Sequence, residues 1–524
     1  MTKRCCLAAP LPLVLLMLAA TAQAQDLRLA LPGPPTSLDP HFHNNGVNNS
    51  QARHVFDALT AQDENQQLGP GLAHSWRVVD DTTWEFSLRP GVAFQDGTPL
   101  SADDIRFTLE RAPNVANSPS SFGTYTKLVT GVSIVDANTI RLHTDGPSPL
   151  LPLDMSQVQV ISRKVGEGAT TQDYNSGRAM VGTGPYRFVS YAPNDRIVYE
   201  RNEAYWGGAQ HWRRVTFRMI PVGTARVAAL IANDVDVIAD VPTSDVGRLR
   251  ERPEVKLWSG VSNRLTFLSV DVHNDVPMPA NISDNAGNPL PRNPMRDLRV
   301  RQALSLAIDR DLIVSRVNEG EAVRANQLVP ENFFGYNPAI QPEQPDIAKA
   351  RRLLAEAGYP DGFRLVLHTS NDRIVNAART VQAIAQMWGR IGIRTEVETM
   401  PHTVYSGRTQ RNELSHMLHS FGSGTGEALA TFVSIVYTRG GQFGGSNRGR
   451  YSNPAVDAAI RTALTTVDDD RRRKILEDTM ATVIADKAIL PLVFWVSTWG
   501  TRPGFAYTPQ ASQATLAMAT RPAP

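Results

Sequence analysis

Two histidine pairs, His41-x-His43 and His416-x-x-His419, are of the residue type for metal chemistry, because neutral imidazole ligates nickel, copper and iron. Neither pair has a cysteine nearby. The second pair falls in a stretch that reads as strand and loop, where residues three apart face opposite sides, so no metal site is expected. Catalytic patterns are missing: the sequence has no G-x-S-x-G elbow, H-E-x-x-H, phosphate-binding G-x-x-x-x-G-K-[ST] loop or C-x-x-C. The expectation is therefore a chain with no catalytic residues and no cofactor. Arg373, at the end of Thr369-Ser-Asn-Asp-Arg373 and just before a helical pattern, suits a planar anion such as a carboxylate. It suits equally a solvated arginine at a helix start.

The elements that would position such residues are legible in places. In Trp84–Glu110, Trp84, Phe86 and Leu88 alternate with Glu85, Ser87 and Arg89, the period of a half-buried strand. Pro90-Gly91 breaks it, Asp96-Gly97 supplies turn chemistry, and Ser101 three residues before Asp104 forms a capping box for a helix carrying Ile105, Thr108 and Leu109. Leu27 to Leu31 reads as a strand, and Gln51 to Leu59 as a helix with Ala52, Val55, Phe56 and Leu59 on one face. The segment from Asn274 to Asn293 reads as a long surface loop. Helices are expected from Asp297, over Ala348 to Ala357, over Ile374 to Ile391, after Tyr451-Ser-Asn-Pro454 and from Asp470, and strands over Leu265 to Val270 and Ile489 to Trp495.

The first residues have the order of a secretory signal: Lys3 and Arg4, an apolar run from Leu7 to Ala20, then Ala22-Gln23-Ala24. Cleavage after Ala24 is expected. The only two cysteines, Cys5 and Cys6, leave with it, and loss of Lys3 and Arg4 takes the formal net charge from +2 to zero. A neutral, cysteine-free exported chain fits the periplasm and argues against a nucleic-acid partner. At 524 residues the chain should pack as more than one unit.

Phe86 to Ile105 meets nearly every fixed position of F-x-L-R-x-G-V-x-F-x-D-G-x-P-x-x-A-x-D-V, with Ile105 in place of the valine. Ser37-Leu-Asp-Pro40, Leu72-Ala-x-Ser75-Trp76, Gly182-Thr-Gly-Pro-Tyr-Arg-Phe188 and R-x-A-L-x-x-A-I-D-R over Arg301–Arg310 extend the match. In these phrases the sequence resembles the extracytoplasmic solute-binding proteins of peptide and nickel type ABC importers, bacterial family 5. The resemblance implies an α/β, bilobal periplasmic-binding-protein fold of type II, cluster C, with an extra inserted subdomain. It places one lobe at 25–60, 183–265 and 488–524, the inserted subdomain at 61–182 and the second lobe at 266–487. The strands near Leu265 to Val270 and Ile489 to Val496 would then form the hinge.

It also implies a function: capture of a short peptide or similar small polar solute between the lobes by a monomer, and delivery to an ABC permease in the inner membrane. A receptor for a metal chelate, opine or oligosaccharide, and a periplasmic hydrolase or chaperone, are the alternatives. For the site, the resemblance points to Arg373 for a ligand carboxylate, and to Asn44 and Asn45 in the first loop. It points as well to an aromatic among Trp495 and Trp499 on the returning strand. Dipeptide-type relatives have a G-W-x-x-D-x-x-D-P element whose aspartate holds an α-ammonium. Here Phe421 stands near the tryptophan, Ser423 and Gly424 lie near the aspartate's place, and Glu427 is the candidate substitute, with a plain loop glutamate as the alternative.

Overall fold

The computed structural model describes residues 26–273 and 281–523. The signal segment, Cys5 and Cys6, and residues 274–280 of the expected long loop lie outside the described residues. Among the described residues, no helix is long and apolar enough to cross a membrane.

Two long strands organise the molecule. Lys256–Val270 and Ile489–Thr501 pair antiparallel along most of their lengths, and both are longer than their apolar runs predicted. At one end, Ile489–Thr501 pairs with Val237–Ile238 and so joins Asp26–Leu31, Arg214–Met219, Arg196–Arg201 and Tyr186–Ala192. At the other end, Lys256–Val270 pairs with His416–Gly422, which leads to Arg364–Ser370. A single 12-stranded mixed sheet therefore passes through both lobes, and among the described residues these two long strands stand where its two halves meet.

Each side of the sheet has its own core. Leu27, Leu29, Tyr199, Phe217 and Trp499 pack together in one lobe. Leu304, Leu367, Ile384 and Trp388 form one cluster in the other, with Phe267, Phe432, Leu476 and Met480 in a second. A separate four-stranded antiparallel sheet, Ala73–Asp80, Thr83–Leu88, Thr139–Thr144 and Val129–Asp136, covers a cluster including Phe86, Ile140, Leu142 and Ile105.

Helix starts follow local chemistry. The Ser101 amide and hydroxyl both donate to Asp104 Oδ2, at 2.9 and 2.7 Å, closing the capping box ahead of Ala102–Arg111. Asp297 caps Leu298–Leu306, Asn453 caps Pro454–Thr465 and Asp468 caps Asp469–Asp486.

Three expectations need correction. The strand at Thr83–Leu88 is not half-buried by simple alternation: Glu85 is only 9% exposed, because Arg77 and Arg141 cover it from the neighbouring strands at 2.9 Å. The helix expected over Gln51 to Leu59 runs instead over Gly46–Val55, with Phe56 already extended. The expected loop from Asn274 to Asn293 contains a short strand, Ile282–Ser283, paired with Arg364 and Leu365.

Candidate functional site

Asn45 opens the helix Gly46–Val55, its side-chain oxygen accepting from the Asn48 amide at 3.0 Å. Ala52, His54 and Val55 face inward, and four-residue spacing aligns Asn45, Asn49 and Arg53 on a different stripe. That stripe is one wall of a cavity of about 630 Å³ between the lobes, a size suited to a small ligand. Asn263 and Arg264 on the crossing strand and Gly422 and Gly424 from the second lobe face it; Tyr125 and Gln157 come from the small-sheet subdomain. The register of the two crossing strands shifts between Val261 and Leu265. Such a bulge releases residues from one ladder and re-aims them; Asn263 and Arg264 leave the pairing with Ile489–Thr501 there, while Arg264 stays paired with Gly422 on its other side.

The lobes also touch through a polar clasp beside the cavity. Gln66, buried, donates from Nε2 to the carbonyls of Ser423 and Gly424 at 3.1 and 2.9 Å. Asn263 Nδ2 donates to Gln66 Oε1 at 2.8 Å and to the Ser423 carbonyl at 2.7 Å, and Gln157 donates to the Gly424 carbonyl at 3.3 Å.

Three charged groups line the cavity: Arg53, Arg264 and Asp57. Asp57 accepts from Trp206 Nε1 at 2.8 Å, Thr183 Oγ1 at 2.9 Å and Tyr205 OH at 3.2 Å. Burial pushes its carboxyl above the ordinary range, against the pull of those donors. Arg264 donates from Nε to Gln513 Oε1 at 3.0 Å and lies over the Trp495 ring at 5.3 Å. Burial, then the charge of Arg373, holds its guanidinium below the ordinary value.

The residues singled out from sequence separate into groups. Asn44 and Asn45 line the cavity. Ser423 takes part through its backbone carbonyl in the clasp. Trp495 stands one layer behind, under Arg264, with Nε1 donating to Thr266 Oγ1 at 2.7 Å. Arg373 is exposed and outside the lining, though close enough for Arg264 to feel its charge. Phe421 is half-buried against the second-lobe core. Trp499 is core, stacked on Tyr507 at 4.9 Å with Nε1 donating to Thr515 Oγ1. Reasoning from sequence missed Arg53, Asp57, Gln66, Asn263 and Arg264. The spacing Asn45, Asn49, Arg53 could have found the first.

The first pair of histidines has other partners. His41 Nε2 is 2.8 Å from the Gln159 carbonyl and His43 Nδ1 is 2.9 Å from Thr36 Oγ1. His416 is buried and His419 half-buried, and desolvation pushes both imidazoles down to about 3. Among the described residues, no three of His, Cys, Asp or Glu gather in a group able to hold a metal ion.

Glu427 is buried away from the cavity lining, with Oε1 3.2 Å from Arg472 Nη1; Arg472 also pairs with Asp469 at 2.7 Å. Burial outweighs this shared ion pair and pushes the carboxyl from 4.5 up to about 7. The folded chain thus holds a proton that the unfolded chain releases near 4.5. The resulting stability is complete below that pH and is lost as pH rises through about 7. At about 1.36 kcal/mol per unit, the loss is on the order of 3 kcal/mol. Urea denaturation of the wild type and Glu427→Gln at pH 5 and pH 8 should show this part of the slope only in the wild type.

Compared with known proteins, residues 67–443 match the family model described as "Bacterial extracellular solute-binding proteins, family 5 Middle". The chain is 28% identical over 464 residues to "Heme-binding protein A" of Haemophilus influenzae, covering 83% of this chain and 80% of that one. It is 26% identical over 515 residues to "Dipeptide-binding protein" of Escherichia coli, covering 91% and 90% respectively. Among solved structures, HbpA2 from Haemophilus parasuis is similar with a TM-score of 0.81 at 20% identity, over 95% of this chain and 100% of that one. The fold is the bilobal type II periplasmic-binding-protein fold.

Proposed function

The chain belongs to the bacterial extracellular solute-binding proteins of family 5, and from that premise we propose that it is the substrate-binding component of an ABC importer. It captures a short peptide or similar small polar solute between its lobes and passes it to a membrane permease. The observation that carries this reading is the cavity itself, walled by both lobes where two long strands run from one to the other and a polar clasp joins them. Closure around a solute would add contacts that the open form lacks, the condition for a ligand to shift such an equilibrium.

Several finer points belong to the same proposal. The chain works in the periplasm as a monomer after removal of residues 1–24, and it makes and breaks no bond. The lobe seams lie near residues 61, 182, 266 and 488, supported by the separate cores on either side of the sheet. Asn44 and Asn45 touch the solute directly and Arg373 acts from the cavity's outer side. A structural role for Glu427 is supported by its burial against Arg472.

The test is thermal unfolding against a panel of di- and tripeptides, with native mass spectrometry of protein purified gently from a periplasm. One peptide per chain should raise the melting temperature with concentration, corresponding to about 2.7 kcal/mol at a hundred times Kd. Hydrolysis of the panel, or an adduct with a metal isotope pattern and no peptide, would overturn the reading.

A further inference from the structure

The charges on a cavity's wall decide which charges it can enclose. Among the described residues, neither Arg53 nor Arg264 forms an ion pair: Arg53 Nη2 meets the Gln62 carbonyl at 3.5 Å, and Arg264 meets the Gln513 amide and the Trp495 ring. The one carboxylate in the lining, Asp57, already accepts from a threonine, a tyrosine and a tryptophan. Glu427, the residue that sequence placed nearest to an ammonium-binding role, is turned into the core against Arg472. The other polar side chains on the walls are mainly uncharged amides, among them Asn44, Asn49, Gln62, Gln157 and Gln210.

Two consequences follow from electrostatics. A guanidinium in a closing, water-poor cavity is stabilised by an entering anion and left uncompensated by a neutral solute. A primary ammonium would meet two like charges and no free carboxylate, and rejection of this kind discriminates as strongly as attraction does. The amides, able both to donate and to accept, match peptide groups whatever the side chains.

Resting on the reading of this chain as a peptide or small-solute receptor, we propose that the cavity selects an acidic solute with no free primary ammonium. Its chemical class is the N-acylated acidic peptide, whose carboxylates face Arg53 and Arg264 and whose amide groups face the asparagines and glutamines.

Isothermal titration with four probes tests this: N-acetyl-Asp-Glu, Asp-Glu, Ala-Ala and Lys-Lys. N-acetyl-Asp-Glu should bind one per chain, more tightly than Asp-Glu and at least about tenfold more tightly than Ala-Ala, while Lys-Lys gives no heat. Arg53→Gln and Arg264→Gln should each weaken N-acetyl-Asp-Glu by about 10- to 100-fold, the size of a lost charge-assisted hydrogen bond. The ligand-free melting temperature of Arg264→Gln should be unchanged or raised, since it removes a partly buried charge with no acidic partner, whereas Arg53 also acts on the charge of Asp57. Should either variant fail to fold, the order of the four probes on the wild-type protein decides. Tighter binding of Ala-Ala or Lys-Lys, or binding of Asp-Glu as tight as or tighter than that of its acetylated form, overturns the charge inference and leaves the receptor reading standing. Absence of binding by all four, together with no peptide adduct in native mass spectrometry, overturns both.

Discussion

Gly182→Ala should drive most of the protein into the insoluble fraction, or lower its stability by about 3 kcal/mol or more in urea denaturation. A Cβ at Gly182 would lie 1.9 Å from the Val55 carbonyl oxygen and 2.7 Å from the Phe56 ring; at Gly184 it would lie 2.5 Å from the Val55 carbonyl carbon. The obstacles at Val55 are backbone atoms, and they have no slack. The Gly184 amide donates to that same carbonyl at 2.8 Å, the Gly182 carbonyl accepts from the Gln95 amide at 2.8 Å, and Thr183 between them donates to Asp57 at 2.9 Å. Val55 ends the helix that carries Asn49 and Arg53, so any shift that makes room also displaces a wall of the cavity. Gly69→Ala, where no atom lies within 4 Å of the added carbon, is the matched control and should change stability by less than about 0.5 kcal/mol.

The same contact explains where reading the sequence failed and where it succeeded. Ala52, Val55, Phe56 and Leu59 have helical spacing, yet the helix stops at Val55 because a backbone segment far along the chain docks on its last carbonyl. Local periodicity contains no trace of that partner. Elements closed by their own neighbours were legible: Ser101 with Asp104, and Asn453 ahead of Pro454, both act within one helical turn. The fold as a whole was legible through phrases whose residues turn out to perform such local closures or, as with Gly182 and Gly184, to permit close approach.

The site was legible only in part, for a related reason. Asn44 and Asn45 sit at a loop end and helix start, where sequence position and spatial position coincide. Arg264 reaches the cavity beside a bulge in the pairing of its strand with the returning one, and alternation within an apolar run cannot signal a bulge. Trp499 and Trp495 lie four residues apart on one strand, yet one is core and the other backs the cavity, because the two lobes bury different parts of the strand. Glu427 was chosen for its charge, whereas its surroundings turn that charge inward to Arg472.

Breaking the buried pair of Asp39 with Arg111 should cost about 3–5 kcal/mol, the range for an ion pair that leaves an uncompensated buried charge. Asp39 is 1% exposed and accepts from both terminal nitrogens of Arg111, at 3.0 and 2.7 Å, from Thr171 Oγ1 at 2.9 Å and from the His41 amide at 3.0 Å. Arg111 closes the helix of the Trp84–Glu110 stretch and lies over the Tyr174 ring at 4.7 Å. Ser37-Leu-Asp-Pro40 is thus the point where the first loop, which goes on to Asn44 and Asn45, is fastened to the small-sheet subdomain. Burial pushes the Asp39 carboxyl up, but Arg111 overrides it and holds the folded value below 3.8, so this stability is present above 3.8 and lost as pH falls through the folded value. His41 acts in the same direction. Burial and then Arg111 lower its imidazole from 6.5 to about 4, so its contribution is lost as pH falls from 6.5 through about 4. With Arg111 Nη1 donating to Nδ1 at 3.1 Å, the ring donates from Nε2 to Gln159. Arg111→Met should therefore show the full loss at pH 7 and a shallower decline between pH 6 and pH 3 than the wild type. Asp39→Asn with Arg111→Met should be more stable than the sum of the single losses by about 1–3 kcal/mol, because the orphaned charge is gone; strict additivity in urea denaturation would show that the two side chains do not act as a pair.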